Sequence, residues 1–194
     1  MRVLTITTPD VENGLGYRLT IWFAGCSHRC PGCHNQHTWD YNQGTPLMEK
    51  VVQDKIYEEV NKQYIAGITL AGGDPLSQSD ESLKILLKFL QEFKEKQPDK
   101  DIWIYSGAVY DSDILHPIKK EIIDLCDVMV DGPFIIKLLD PDLAFRGSSN
   151  QRIIDLKKTR EKGEVVELEN IKWKPRGIRN LFLFLINISN KIHN

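Results

Sequence analysis

Arg18–Leu19–Thr20–Ile21–Trp22–Phe23–Ala24 runs without a break into Gly25–Cys26–Ser27–His28–Arg29–Cys30–Pro31–Gly32–Cys33. The first seven residues are rich in β-formers, so the stretch predicts a strand that ends in a tight cysteine loop. Working outward, the same arrangement recurs. An apolar-rich stretch, Val3 to Thr8, precedes it. Gly67 to Ala71 reads as a short buried strand ending in Gly72–Gly73–Asp74–Pro75. Asp101 to Ser106 is another, broken by Gly107, and Asp127 to Val130 ends at Asp131–Gly132–Pro133. Between them lie helical patterns. Glu49 to Tyr64 carries Val51, Val52, Ile56, Val60 and Tyr64 near helical spacing; Ser79 to Phe93 repeats Leu83, Leu86, Leu87 and Leu90 behind an N-cap at Ser79 or Asp80. Pro117 to Cys126 starts with a proline tolerated in the first turn. Strands alternating with helices imply βαβ units, a parallel sheet, and ligands gathered at the carboxyl ends of the strands. Each distinctive motif follows a strand directly.

The chain has 194 residues, of which 41% are hydrophobic and 27% charged, enough to bury a core without disulfides. Twenty-five basic residues against 27 acidic ones give a net charge of −2, so no global basic field is present to hold a nucleic acid. Neither a signal-peptide pattern nor an apolar run of the ~20 residues a membrane span needs is visible, and the chain reads as cytoplasmic. Only four or five βα steps fit before the polar stretch that begins near Lys157. A closed eight-fold barrel typically needs ~250 residues, so the expected fold class is α/β, an open partial (β/α) barrel with a wide lateral mouth. Residues 1–170 form the expected domain. The tail, 171–194, carries a short apolar run from Leu181 to Ile188 that reads as a packed terminal element or an extension.

Three of the four cysteines fall within eight residues, in the spacing Cys-x3-Cys-x2-Cys. In a reducing compartment such a cluster signals metal or redox chemistry rather than a disulfide framework. Cys26, Cys30 and Cys33 can grip three irons of a 4Fe–4S cubane and leave the fourth iron open to a small molecule. Two other readings stand beside it. Zinc could take the three thiolates with His28, His34 or His37, and Cys30–Pro–Gly–Cys33 alone could be a redox pair. Cys126 reads as a small core hydrophobe, and His28, His37 and His116 read as solvated.

The cysteine spacing resembles the signature of the radical S-adenosylmethionine superfamily. Gly72–Gly73–Asp74–Pro75 is similar to that superfamily's second motif, normally Gly-Gly-Glu-Pro. The aspartate, with Asn13–Gly14–x–Gly16, Asp131–Gly132–Pro133 and Arg146–Gly–Ser–Ser–Asn–Gln151, resembles one subfamily, the anaerobic ribonucleoside-triphosphate reductase-activating proteins. The resemblance runs from about Pro9 to about Asp155 and does not reach the tail after Asn170.

It implies a partial barrel of the radical S-adenosylmethionine type. It also implies two cofactors, a 4Fe–4S cluster held by Cys26, Cys30 and Cys33, and S-adenosylmethionine bound at the open iron. Reductive cleavage would give a 5′-deoxyadenosyl radical that takes hydrogen from a glycine of the reductase. The cofactor would lie against Gly32, Cys33 and His34, with Gly72 and Gly73 allowing close backbone approach and Asp74 accepting from its ammonium group. Asp131 would either bond the ribose or cap a turn, and Arg146 to Gln151 would contact cofactor or partner. The implied partners are the anaerobic ribonucleoside-triphosphate reductase and a one-electron donor such as flavodoxin or ferredoxin. The alternatives are an activase of another glycyl-radical enzyme, such as formate acetyltransferase, and a zinc-stabilised binding module without catalysis.

Overall fold

The computed structural model describes residues 1–169 and Ile171. Its strands are β1 (Arg2–Asp10), β2 (Tyr17–Phe23), β3 (Thr45–Pro46), β4 (Ile65–Gly72), β5 (Asp101–Tyr105), β6 (Val128–Asp131) and β7 (Arg152–Asp155). Its helices are α1 (Lys50–Val60), α2 (Asp80–Lys96), α3 (Tyr110–Asp113), α4 (Pro117–Asp124) and α5 (Leu156–Lys162). The strands form one sheet in the order β3-β1-β2-β4-β5-β6-β7. The four central strands β2, β4, β5 and β6 are parallel, while β3, β1 and β7 run antiparallel to their neighbours. The sheet does not close, because its two ends are β3 and β7.

Alternation along each strand decides the two faces. Leu19, Ile21 and Phe23 of β2, Ile68 and Leu70 of β4, Ile102 and Ile104 of β5, Met129 of β6 and Ile154 of β7 belong to one buried cluster. The apolar stripes of α1, α2, α4 and α5 pack into that same cluster, so these four helices lie on one face. The opposite face carries Arg18, Thr20, Thr69, Trp103 and Val130, all buried. There Trp103 packs edge-on against Phe145 at 5.6 Å, and Leu168 and Ile171 cover the cluster.

Local signals explain the element ends. Ser79 accepts the Ser82 N–H and starts α2, with Asp80 and Glu81 in the first turn and Lys94 and Lys96 in the last, matching the helix dipole. Asp155 caps α5, and Gly163 ends it in the left-handed region. Several expectations shift. The first helix stops at Val60 rather than Tyr64, because the Ile65 N–H turns back to Lys62 O and begins β4 two residues before Gly67. The edge strand β7 and α5 follow in a region whose mixed composition carries no periodic signal. Asn13–Gly14–Leu15–Gly16 lies at the amino ends of the parallel strands, away from the cysteine loop. There Asn13 donates to Asp10 and accepts from Thr69, beside the buried Arg18 guanidinium. Asn170 and the apolar run of the tail lie outside the described residues.

Candidate functional site

Four strand exits meet at the carboxyl edge of the parallel sheet: the cysteine loop after β2, Gly72 to Pro75 after β4, Ser106–Gly107 after β5, and Asp131 to Pro133 after β6. The cysteine loop is closed at its base, where the Gly25 N–H bonds Thr38 O at 2.7 Å and the Cys26 N–H bonds Trp39 O. At its near side Ser27 binds Ser77, through its N–H at 3.1 Å and its hydroxyl at 2.6 Å.

Cys26 is buried, whereas Cys30 and Cys33 are partly exposed. Burial pushes the Cys26 thiol up, and the backbone N–H groups of His28 and Arg29 oppose that by favouring the thiolate. The Asn35 N–H points at Cys33 Sγ at 3.4 Å. Among the described residues, no three Cys, His, Asp or Glu side chains converge on one point, as a single metal ion would need. A cubane takes each thiolate on a different iron, so three thiols along one loop are a donor set it can use. Cys126 stands apart. It is buried in the helix-side core, donates to Ile122 O, and burial raises its thiol far above the usual range.

The Gly72–Gly73 pair has a structural cause first. Gly72 adopts φ +108°, and a Cβ there would meet the Phe23 backbone N at 2.5 Å. A Cβ on Gly73 would fall on the carbonyl oxygen of Gly25. Two hydrogen bonds continue the β2–β4 pairing beyond the sheet, from Gly73 N–H to Phe23 O and from Asp74 N–H to Gly25 O, both 2.8 Å. The glycines thus let the two exits lie side by side.

Asp74 is 1% exposed. Its carboxylate accepts the Leu76 N–H at 2.8 Å, the Gly107 N–H at 2.9 Å and the Ser106 hydroxyl at 2.9 Å, and pairs with His28 Nε2 at 2.8 Å. Both oxygens accept from protein donors, which hold the carboxylate at the base of the site. His28, expected to be solvated, is instead drawn onto this carboxylate, which raises its pKa.

Asp131 has the same character. It is 1% exposed, accepts the Tyr110 N–H at 2.9 Å, and takes both Nε and Nη2 of Arg152. That pairing holds the Arg152 guanidinium cationic and joins the edge strand β7 to β6. Of the two expectations for Asp131, this geometry displays the turn capping: its oxygens accept from Tyr110 and Arg152.

Arg146 to Gln151 forms a clamp on the turn after β6. Gln151 Oε1 accepts the Gly147 N–H and its amide donates to Gly132 O, while Asn150 donates to Pro133 O and Ser148 Oγ accepts the Ile135 N–H. The clamped segment leads into Ile136, which packs so close to the exposed Gly32 that a Cβ there would lie 2.9 Å from its Cδ1. Gly32 and His34, both exposed, flank Cys33. Sequence reasoning missed His28, Ser106, Gly107 and Arg152 as members of this assembly. The break at Gly107 after a strand was the one visible signal among them.

The site is thus a three-thiol loop set on the carboxyl edge of an open α/β sheet, the arrangement of an iron–sulfur domain. Residues 12–154 match the family model described as a 4Fe-4S single cluster domain. The chain is 41% identical over 150 residues to the anaerobic ribonucleoside-triphosphate reductase-activating protein of Escherichia coli (strain K12), covering 76% of this chain and 94% of that one. It is 39% identical over 155 residues to the protein of that name from Haemophilus influenzae, covering 79% and 97%. For the one from Enterobacteria phage T4 the values are 36% over 146 residues, 74% and 87%. The chain belongs to this family, that of the anaerobic ribonucleoside-triphosphate reductase-activating proteins. Among the described residues no helix is long and apolar enough to cross a membrane.

Proposed function

We propose that the protein activates an anaerobic ribonucleoside-triphosphate reductase as a radical S-adenosylmethionine enzyme. Cys26, Cys30 and Cys33 hold a 4Fe–4S cluster, and S-adenosylmethionine binds beside it. When bound, these groups supply one-electron cleavage of the sulfonium and a 5′-deoxyadenosyl radical able to take hydrogen from a glycine of the reductase. The chain's own residues bind and orient. The backbone around Gly32 to His34 and Gly72–Gly73 forms the cofactor's walls, and Asp74 and Asp131 hold those walls in register.

The observation that carries this reading is the placement of the three-thiol loop against the β4 and β5 exits of a sheet whose parallel strands follow in sequence order with their helices on one face. Helices on one face of a parallel sheet support a barrel cut open over a doubly wound sheet, which carries helices on both faces. An open edge admits a loop of a macromolecular partner. The same reading places the reaction in the cytoplasm, with an electron donor such as flavodoxin or ferredoxin.

The test is anaerobic incubation of the reduced protein with S-adenosylmethionine and its cognate reductase, read by electron paramagnetic resonance. A glycyl doublet on the reductase, with 5′-deoxyadenosine formed, is expected. Cofactor cleavage that leaves the reductase silent but puts a radical on formate acetyltransferase would transfer the activity to that enzyme. Absence of any iron uptake would refute the reading.

A further inference from the structure

We infer that His28 is a positioning residue: its ring latches the arc between Cys26 and Cys30 to the exits of β4 and β5, and so sets where those two thiols stand. Two contacts seat the ring. Its Nε2 lies 2.8 Å from Asp74 Oδ2. Its face lies over Gly107, where a Cβ would come within 2.7–2.9 Å of three ring atoms, Cδ2, Cγ and Nε2. Those three are the nearest atoms to that position, and Gly107 has no positive φ to account for its identity. The missing side chain at 107 is explained by the ring above it.

The anchor is rigid. The Asp74 carboxylate is buried and already fixed by the Leu76 and Gly107 N–H groups and the Ser106 hydroxyl. A tether to such a group transmits the position of two strand ends to the loop. The arc needs tethers, because Arg29 sits at φ +46°, a left-handed conformation that is unfavourable for a residue other than glycine. Ser27, on one side of it, is held by Ser77, and His28, adjacent to it, by Asp74. Without the latch, the arc is free to relax Arg29 and carry the thiols away from the sheet edge. That the latched thiols serve a cluster rests on the function proposed above; the latch itself does not.

The experiment uses the full-length chain freed of metal and kept reduced. Alkylation of Cys26 by iodoacetamide is followed by peptide mass spectrometry, with core Cys126 as the internal reference for global unfolding. His28→Ala is expected to raise the Cys26 rate about tenfold or more relative to Cys126, the scale of losing a hydrogen bond to a charged group. His28→Gln, whose amide reaches the same carboxylate, is expected to restore most of the protection. Gly107→Ala is expected to raise the rate when His28 is present and to add nothing in the His28→Ala background. In reconstituted protein, His28→Ala and Gly107→Ala are expected to shift the paramagnetic resonance spectrum of the reduced cluster in the same way. Unchanged Cys26 protection in His28→Ala overturns the latch, as does a Gly107→Ala effect that is equally large without His28. If Cys26 loses protection as expected while the wild-type chain takes up no cluster, the latch stands and the proposed function fails.

Discussion

The carbonyl oxygen of Gly25 stands where a Cβ on Gly73 would begin, and the peptide following Gly73 donates to that oxygen at 2.8 Å. The cysteine loop and the turn after β4 are therefore zipped together past the end of the sheet. This contact places Cys26 beside the Asp74 turn, and it tolerates no side chain.

Gly73→Ala should accordingly disturb the loop and the fold together. Forcing a methyl group into packed backbone costs about 2 kcal/mol, which lowers the melting temperature by roughly 4–8 °C in a chain of this size. Gly163→Ala is the comparison, since nothing lies near that position and only its left-handed φ is penalised. Thermal melts of the two variants should separate, with Gly73→Ala the lower and the less able to take up iron.

The four thiols should divide three to one. Alanine at Cys26, Cys30 or Cys33 is expected to abolish iron and sulfide uptake on anaerobic reconstitution. Cys126→Ala should retain full uptake and lose about 1 kcal/mol of stability from a small core cavity. Equal iron loss at Cys126 would contradict a cluster with an open position.

Asp74→Ala strands the buried Leu76 N–H and Ser106 hydroxyl and the part-buried Gly107 N–H. Each unsatisfied donor costs about 1–3 kcal/mol. Urea unfolding of the metal-free chain should therefore show a large stability loss before any ligand is added. A chain of normal stability that has lost only S-adenosylmethionine binding would show that the carboxylate serves the ligand directly.

Asp131 and Arg152 form the other inward pair. Removing Arg152 alone leaves the buried Asp131 carboxylate without its counterion, a loss of about 3 kcal/mol or more for a well-buried charge; removing Asp131 alone should cost less, because Arg152 is 27% exposed and keeps its pair with Asp111 at 2.8 Å. Asp131→Asn combined with Arg152→Met should recover part of the stability lost in Arg152→Met alone. The affinity of the folded double variant for S-adenosylmethionine should stay near that of the wild type; a selective fall would restore the ribose contact.

Much of this molecule is legible in its residue order. The strand running into Gly25–Cys26, the stripes of α1 and α2, and the motif after each parallel strand are local signals, because strand period, helix period and turn chemistry act over a few residues. They suffice for an α/β sheet with its distinctive residues on one edge, and the three closely spaced thiols suffice to point to metal chemistry. What lies across the chain is another matter. Whether Asp74 faces a ligand or the protein depends on Ser106 and Gly107, 32 and 33 residues away, and on His28, 46 residues earlier. The strand at 152–155 pairs along β6 with Arg152 opposite Asp131, and nothing in its own four residues announces that partner. A carboxylate, an imidazole and a glycine carry no mark of one another in sequence. Burial alone joins them, because a charged group taken out of water must find its donors wherever the fold brings them.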